Sequence, residues 1–286
     1  MLTLTKIKTW ASVVPTNVKA IISSYISKLD FSYMTLNEDN HVYTSTKNPD
    51  IEWTSVTTLI KTYEPAQDWD EISKRYGRKN GMQPHVVKAM WEYNADCAAA
   101  TGSTCHLFGE LICNIMVQSM LENWDEVDTL IEGFKCVFPF QLKNDTFLPC
   151  MIGQNHIIEF WEKIISEQNR WPVAAECIVD DPEKKVCGTV DLLMLESDFT
   201  LSMWDYKTSK KLDNPYARSQ KIYMLREYAN MVKEPLSEYT IQLAIYKNML
   251  AKHGVKIGCT NIIHVPNTED SELAIVPVNT DKVMVL

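Results

Sequence analysis

Apolar and polar residues follow two different periods along the chain. Up to about residue 168, apolar residues recur mostly every three or four positions, the spacing of amphipathic helices. This spacing predicts helices at residues 68–80, 84–99, 103–121, about 124–137 and 156–168. Ser103 is a suitable N-cap for the third of these helices. A short helix that begins at Leu59 has Thr57 or Thr58 as its predicted cap.

From about residue 171 the pattern changes to apolar runs bounded by turn residues, which is typical of β-strands. These runs predict strands at residues 171–179, 186–195, 201–207, 255–265 and 273–278. Asp180–Lys184 is a strong turn sequence. Because their connections are short, the first three strands are predicted to form an antiparallel meander. A helix at residues 237–252 is predicted to end just before Gly254.

An earlier segment is predicted as a β-hairpin. Its strands are residues 41–45 and 51–56, with Asn48–Asp50 as the turn. Two segments have no regular pattern: the residues around Pro139 and Pro149, and the polar, partly helical residues 213–233.

The chain contains no internal repeat and no glycine-rich linker. The simplest interpretation is therefore one integrated α+β unit. Residues 1–100 of this unit are predicted to form an N-terminal extension, with a hairpin and helices, and residues 101–286 are predicted to form its main part.

The composition is that of an ordinary globular protein. Of 286 residues, 45% are apolar and 23% are charged, which argues against a disordered chain. No run of about 18 apolar residues occurs, so no membrane span is expected. The first residues also lack the apolar stretch of a signal peptide. Eight scattered cysteines without a C-x-x-C pair favour reduced thiols and an intracellular protein over a disulfide framework.

The charge balance excludes a protein that binds nucleic acid through overall basicity. The chain has 28 Lys and Arg against 37 Asp and Glu, a net charge of −9. A local basic groove beside an acidic metal site remains compatible with this balance. The candidate chemistry must therefore be sought in particular residues.

Two predicted strands carry acidic residues among apolar ones. On the third strand of the meander, Asp205 and Lys207 are two positions apart and share a face. Alone, this pair also fits an ion pair at a solvated strand edge. Asp191 lies within the strongly apolar second strand, where a buried carboxylate is costly unless it is paired or binds a metal.

These acidic residues can converge if the second and third strands pair through the short turn at Ser197 and Asp198. Two carboxylates and a backbone carbonyl would suit Mg²⁺ or Mn²⁺. Lys207 would then orient a water or offset the charge of a phosphate. Glu176 on the first strand supplies a third carboxylate, unless it belongs to an exposed strand face.

Two helices carry polar pairs at a spacing of four, which places each pair on one helix face. One pair is His106 and Glu110, and the other is Gln242 and Tyr246. A structural histidine and a polar strip on a surface helix are the alternatives. Each pair is weak by itself, and the order of all these residues along the chain is more specific.

In chain order, the residues are Thr101–His106 with Glu110, Glu176, Gly188–Asp191, Asp205–Lys210 and Gln242–Tyr246. This order resembles the RecB-like nucleases of the PD-(D/E)XK superfamily. Their pattern is an H-x-x-x-E helix, a G-x-x-D strand, a D-x-K strand and a Q-x-x-x-Y helix. The resemblance covers about half of the chain. Residues 53–57 also resemble a Ser-Val-Thr segment of phage exonucleases and of the mitochondrial genome maintenance exonuclease.

The resemblance implies a restriction-endonuclease-like core, a central mixed sheet flanked by helices, with a helical N-terminal extension. It implies that Asp191, Asp205, His106 and the backbone carbonyl of Tyr206 are the metal ligands. It implies catalytic roles for Lys207, which would position the attacking water, and for Glu176. Gln242 and Tyr246 would support the site or contact the nucleic-acid backbone.

The implied cofactor is Mg²⁺ or Mn²⁺. Some members of the superfamily hold an iron–sulfur cluster on one early and three late cysteines. Here only Cys259 follows the Gln-Tyr helix, so no such cluster is expected. The chain also lacks the G-x-x-x-x-G-K-[ST] motif, so no helicase motor is expected.

Two stretches have a local excess of basic residues. Residues 71–88 contain five bases and one acid, and residues 204–226 contain six bases and two acids. Such stretches fit phosphate contacts along a groove or simply a solvated surface. The candidate nucleic-acid contacts are Lys74, Arg75, Arg78, Lys79, Lys210 and Lys211. Interleaved aromatic residues such as Tyr76, Trp91 and Tyr216 could stack on bases or belong to the core.

The expected function is a metal-dependent DNA exonuclease that acts on single-stranded ends. A structure-specific or flap endonuclease and a non-catalytic nucleic-acid-binding protein are the alternatives, and RNA is a possible substrate. The expected partner is DNA, with no membrane partner, and other replication or recombination proteins are unknown. The expected location is intracellular, the cytoplasm of a bacterial host if the chain is encoded by a phage.

Overall fold

A mixed sheet of six strands lies at the centre of the fold, with helices packed against it. The computed structural model describes residues 2–37, 40, 42–137, 144–266, 268 and 270–285. The α+β class and the mixed central sheet flanked by helices are therefore as predicted.

The described residues form nine α-helices and eight strands. The helices are α1 (Leu4–Val13), α2 (Thr16–Lys28), α3 (Val56–Lys61), α4 (Trp69–Asn80), α5 (Pro84–Met120), α6 (Trp124–Val137), α7 (Asn144–Glu167), α8 (Pro215–Ser219) and α9 (Pro235–Lys252). The strands are β1 (Met34–Asn37), β2 (Val42–Ser45), β3 (Thr54–Ser55), β4 (Arg170–Asp181), β5 (Val186–Glu196), β6 (Leu201–Lys207), β7 (Ile257–His264) and β8 (Ala274–Val278).

The predicted meander is confirmed, because β4, β5 and β6 pair antiparallel in sequence order. The sheet continues with β7, which lies parallel to β6, and β8, which lies antiparallel to β7. The parallel step from β6 to β7 is possible because α9 provides a crossover connection. β4 covers one edge of β5 over its whole length. The other edge of β5 is shared, with β3 at its start and β6 at its end.

Helix α5 is one continuous helix of 37 residues, where the sequence analysis predicted two. Ser103 therefore lies inside a helix and is not an N-cap. Thr101 and Thr104 are accommodated because their hydroxyl groups donate to the carbonyls of Cys97 and Ala100, at 2.9 and 2.8 Å. Residue 100 also lies within α5, so the division proposed there does not coincide with the end of an element, and it stays a prediction.

The predicted N-terminal hairpin is wrong in its pairing. β2 pairs antiparallel with β1, whose short half-polar sequence gave no strand signal. Of the expected second strand only Thr54 and Ser55 are extended, and they pair in parallel with β5. Asn48 does form a turn, with its carbonyl accepting from Ile51 at 3.2 Å. This turn leads into β3 and does not close a hairpin.

Several helix boundaries also differ from prediction. α3 begins at Val56, with the Ser55 hydroxyl as its cap, so neither predicted threonine is the cap. α7 begins at Asn144 and contains Pro149 near its start, where an irregular segment was expected. Pro139 lies outside the described residues. α1 and α2 were not predicted.

The helices α4 and α9 agree closely with prediction. Gly81 and Gly254 follow their ends in the left-handed conformation, with φ of 66° and 76°. Asp68 caps α4 by accepting from the Glu71 amide at 2.9 Å. The seven cysteines whose side chains are described carry free thiols, and five of them are buried. Within the described ranges, no helix is long and apolar enough to cross a membrane.

Candidate metal and catalytic site

The acidic residues predicted from sequence lie where β5 and β6 separate. Pairing of the two strands ends with Leu192 and Trp204. Asp191 and Asp205 are therefore the next residue on each strand. We call the opening between residues 188–191 of β5 and 205–207 of β6 the fork. Within the described part of the chain, no strand pairs with β6 on this side of the fork, so its backbone there is free to bond side chains.

Asp191 and His106 form hydrogen bonds with that free backbone. The amide of Tyr206 donates to Asp191 Oδ2 at 2.8 Å, and His106 Nε2 lies 3.1 Å from the Tyr206 carbonyl oxygen. The other ring nitrogen of His106, Nδ1, lies 3.4 Å from Asp191 Oδ2 and 3.5 Å from Glu176 Oε1. One potential metal-ligand atom from each of His106, Glu176 and Asp191 lies within 4.8 Å of the other two.

Glu176 reaches this cluster through a distorted strand. Its φ of 47° is unusual for a residue other than glycine, and it is even more unusual within a strand. The flanking pairs Ala175–Leu192 and Cys177–Val190 place it across from Asp191. Strain of this kind costs roughly 1–3 kcal/mol and tends to occur at functional sites. Glu176 is thus part of the cluster and does not belong to an exposed strand face, the alternative left open by its sequence.

Asp205 and Lys207 form the second half of the fork. Lys207 Nζ lies 2.7 Å from Asp205 Oδ2, which agrees with the prediction that both side chains share a face. Asp205 is only 1% exposed, and its Oδ1 has no hydrogen-bond partner among the described residues. Within the described residues, Asp205 does not join the three ligand atoms that lie within 4.8 Å of one another. The compact cluster therefore contains Glu176 where the sequence analysis favoured Asp205.

The charges in the fork shift one another's pKa values. Burial raises the pKa of Asp205 to about 7, although Lys207 opposes the shift. Burial also raises the pKa of Asp191, against the attraction of His106. For His106, burial opposes the charged form, but Asp191 and Glu176 outweigh it and raise the pKa to about 9. Burial likewise opposes the ammonium of Lys207, yet Asp205 and Asp191 raise its pKa. Such shifts occur where acid–base chemistry or metal binding takes place.

Gly188, the first residue of the fork on β5, allows a close helix contact. A Cβ atom at this position would lie 2.6 Å from the Tyr246 ring of α9. The Tyr246 hydroxyl accepts a hydrogen bond from Gln242 at 3.2 Å. Gln242 and Tyr246 are 7% and 3% exposed, so they lie behind the site as supporting side chains. A direct contact with a nucleic-acid backbone, the alternative in the sequence analysis, does not fit this burial.

Glycine also permits the contact between α5 and the opposite strand of the fork. A Cβ at Gly109 would lie 2.8 Å from the Tyr206 ring. Phe160 of α7 packs against the same ring, with centroids 6.3 Å apart. Tyr206 thus anchors β6 to α5, which positions His106 next to the Tyr206 backbone.

The basic residues predicted to contact nucleic acid are all exposed, and they lie in two groups. Lys74, Arg75, Arg78 and Lys79 are on α4, which packs mainly on the first half of α5. Arg78 is paired with Glu71 at 3.2 Å. Lys210 and Lys211 are exposed and lie three and four positions after the end of β6.

Aromatic residues hold α4 against α5. The ring of Trp91 on α5 makes edge contacts with Trp69 and Tyr76 of α4, at centroid distances of 6.0 and 5.6 Å. Trp69 is nevertheless 58% exposed and Tyr76 40% exposed. We call α4 and residues 84–100 of α5 the helical hairpin. Its rings pack together and keep large surfaces accessible to solvent.

Two residues near the fork were missed by the sequence analysis. Tyr239 on α9 lies under the ammonium of Lys207, with Nζ 4.6 Å from the ring centroid. Tyr43 on β2 lies 3.2 Å from the Thr189 hydroxyl, two positions before Asp191. The sequence carried no signal for Tyr43, since its strand was predicted to pair elsewhere. Tyr239 precedes the Q-x-x-x-Y motif by three positions, one helical turn.

No protein-family model matches the chain, and no curated protein matches its sequence. The geometry of the fork is therefore the main support for the function proposed below.

Proposed function

We propose that the chain is a metal-dependent nuclease with a RecB-like core of the PD-(D/E)XK superfamily. Its reaction is hydrolysis of phosphodiester bonds in DNA, with single-stranded ends as the preferred substrate. The observation that carries this proposal is the fork. There, His106, Glu176 and Asp191 converge within 4.8 Å beside the ion pair of Asp205 and Lys207.

The donor atoms in the fork suit a divalent cation. Carboxylate oxygens and one imidazole nitrogen are ligands that Mn²⁺ accepts, and Mg²⁺ binds carboxylates in the same way. Asp205 Oδ1 is buried without a hydrogen-bond partner among the described residues. A buried carboxylate oxygen without a partner is costly, so this atom favours a bound cation.

The residues that would hold the ion are His106, Glu176 and Asp191, with Asp205 as a further ligand. His106 donates from Nε2 to the Tyr206 carbonyl, which leaves Nδ1 as the atom that faces both carboxylates. A divalent ion held by these residues would supply Lewis-acid stabilisation of the charge that develops on the phosphate oxygens.

Lys207 has the second role in the reaction. It is 14% exposed, so its ammonium is shielded from bulk water while remaining reachable from the fork. Asp205 and Asp191 keep it protonated by raising its pKa. A fixed positive charge at this position stabilises the pentavalent phosphate and orients the attacking water through hydrogen bonds.

Exposed basic residues in two parts of the chain favour a nucleic acid as the substrate, and DNA is the substrate we propose. Lys210 and Lys211 lie shortly after the end of β6, and Lys74, Arg75, Arg78 and Lys79 lie on α4. Phosphate contacts of this kind do not depend on base sequence. The mixture of accessible aromatic rings and basic residues on the helical hairpin is suited to single strands, whose bases are free to stack.

The decisive experiment compares linear and circular single-stranded DNA. End-labelled linear DNA, covalently closed circular DNA and a labelled RNA are incubated with the protein and Mg²⁺ or Mn²⁺. We expect the protein to cleave only the linear DNA, because an exonuclease needs a free end. Cleavage of the circular DNA would mean that the protein is an endonuclease. If the protein binds DNA but cleaves none of the substrates, the nuclease proposal is wrong.

A further inference from the structure

The ammonium of Lys207 has two neighbours of different character. One is the Asp205 carboxylate, 2.7 Å away, and the other is the ring of Tyr239, whose centroid lies 4.6 Å from Nζ. A cation within about 6 Å of an aromatic ring centroid and over its face is attracted by the ring's negative face. The contact joins the end of β6 to the second turn of α9.

The ring is held by a rigid support. Residues 241–246 of α9, which begin two positions after Tyr239, are all buried. Pro235 at the first turn fixes the start of the same helix. Lysine has a flexible four-carbon side chain, so a single ion pair fixes its charged end poorly. A ring attached to a buried helix adds a second, independent contact.

The carboxylate of Asp205 has competing demands in the proposed function. It pairs with Lys207, and it is also the further ligand for the cation in the fork. A cation held partly by this carboxylate would compete with the ammonium for its oxygens. The ring of Tyr239 would keep its contact with Lys207 in either case.

We propose that Tyr239 is a positioning residue that holds the Lys207 ammonium in the fork by a cation–π contact. This inference rests on the proposed nuclease function. The contact requires an aromatic ring and does not require the tyrosine hydroxyl. Phenylalanine therefore retains it, whereas leucine preserves bulk and apolar character without the ring.

The kinetic test uses single-stranded DNA with Mg²⁺ and separates kcat from KM. Tyr239→Leu is expected to lower kcat about tenfold and leave KM within about twofold, since a cation–π contact at a partly shielded site has this size. Tyr239→Phe should restore kcat to near the wild-type value. The matched control is Tyr25→Leu, which removes a comparable surface contact, with Lys28 Nζ 5.5 Å from the Tyr25 ring. It should turn over like the wild type.

A second readout does not depend on cleavage. NMR of protein with isotope-labelled lysine reports the ring-current shift of the Lys207 side chain, with Lys207→Arg used to assign the signal. Tyr239→Leu should move this signal towards the position of an ordinary lysine, and Tyr239→Phe should not.

The outcomes are distinguishable from a failure of the nuclease proposal. If wild-type protein cleaves and Tyr239→Leu keeps wild-type kcat, the positioning role is wrong. An equal loss in Tyr239→Phe and Tyr239→Leu would assign the effect to the hydroxyl and overturn the ring contact. If the wild-type protein does not cleave DNA, both the nuclease function and the positioning role are wrong. If the NMR signal of Lys207 does not move in Tyr239→Leu, the cation–π contact itself is wrong.

Discussion

The fork and the helical hairpin contain charged residues in opposite surroundings. In the fork, Asp191 and Asp205 are 6% and 1% exposed, and several of their atoms lie within 3.5 Å of a partner. On the hairpin, Lys74, Arg75 and Lys79 are exposed, and no ion pair to them is seen among the described residues. Their charges act mainly through solvent.

This difference assigns the proposed cleavage chemistry to the fork and the attraction of nucleic-acid phosphates to the helical hairpin. Burial makes every electrostatic contact in the fork stronger and raises the pKa of Asp205 and Asp191. Exposed cations contribute little to stability, yet they attract phosphate over several ångströms and are screened by salt. Changes in the fork should therefore abolish turnover, and changes on the hairpin should alter binding and its salt dependence.

The largest effect is expected for Asp205→Asn. It removes a buried charge without changing the shape of the side chain, so cleavage should fall by about 10²–10³-fold or more, while DNA affinity stays close to wild type. Single-turnover cleavage and fluorescence anisotropy measure the two quantities. Asp198→Asn is the matched control, because Asp198 lies on the turn between the same two strands and its Oδ1 accepts hydrogen bonds from Thr200. Wild-type turnover in Asp205→Asn would remove Asp205 from the site.

A similar loss, about 10²-fold, is expected for Lys207→Ala, since one preorganised positive charge is removed. Binding of Mn²⁺, measured by calorimetry, should persist because the ligand atoms remain. Lys247→Ala is the control: Lys247 pairs with Asp281 at 2.8 Å outside the fork, and its loss should not alter turnover. A Lys207→Ala protein with normal kcat would exclude the role proposed for this lysine.

The close contact behind the fork is tested by Gly188→Ala. The added Cβ would meet the Tyr246 ring at 2.6 Å, so the free energy of unfolding should fall by about 1–3 kcal/mol. Denaturant unfolding measures this change. Gly133→Ala in helix α6 is the control, because no atom of the described residues lies within 4 Å of its added Cβ. Equal stability of Gly188→Ala and wild type would mean that the contact is not tight.

The smallest effect on turnover is expected when Lys74, Arg75, Arg78 and Lys79 are all changed to Gln. DNA binding should weaken across sequences, with the salt slope lowered by about 2, because about 0.7 is lost per phosphate contact and Arg78 is already paired with Glu71. The melting temperature should barely change. Arg78→Gln alone is the control and should leave the slope nearly unchanged. An unaltered slope in the fourfold variant would make these residues solvated surface and direct the search to residues 207–226.

Together these measurements sharpen the contrast between the two regions. If the fork variants lost only binding, or the hairpin variant lost only turnover, the assignment of chemistry to one and attraction to the other would have to be exchanged.

Sequence alone was enough for the three strands that carry Glu176, Asp191 and Asp205. Long apolar runs with a strong turn at Asp180–Lys184 have few alternative structures, and the antiparallel order follows from the short connections. The sharing of a face by Asp205 and Lys207 is likewise a local property of a strand. Local patterns of this kind are readable because they depend on neighbours in the chain.

Other features depended on residues far apart in sequence. The break predicted before Ser103 does not occur, and α5 accommodates Thr101 and Thr104 through hydroxyl bonds to its own carbonyls. A Cβ added at Gly102 of the same turn would lie 3.4 Å from the Thr208 hydroxyl, which follows β6. β2 pairs with β1, whose sequence has only a weak strand pattern. β3 pairs instead with the edge of β5.

The membership of the candidate metal-ligand cluster was also a tertiary property. Sequence favoured Asp205 beside Asp191, since adjacent strands bring both to one place. The structure puts Glu176 into the cluster through a left-handed φ of 47°, which no pattern of residue types indicates. The chain therefore determined by itself which strands and helices supply the candidate residues. Only the separation of β5 from β6, with His106 placed between them from α5, decided which atoms meet, because this arrangement depends on contacts between distant segments.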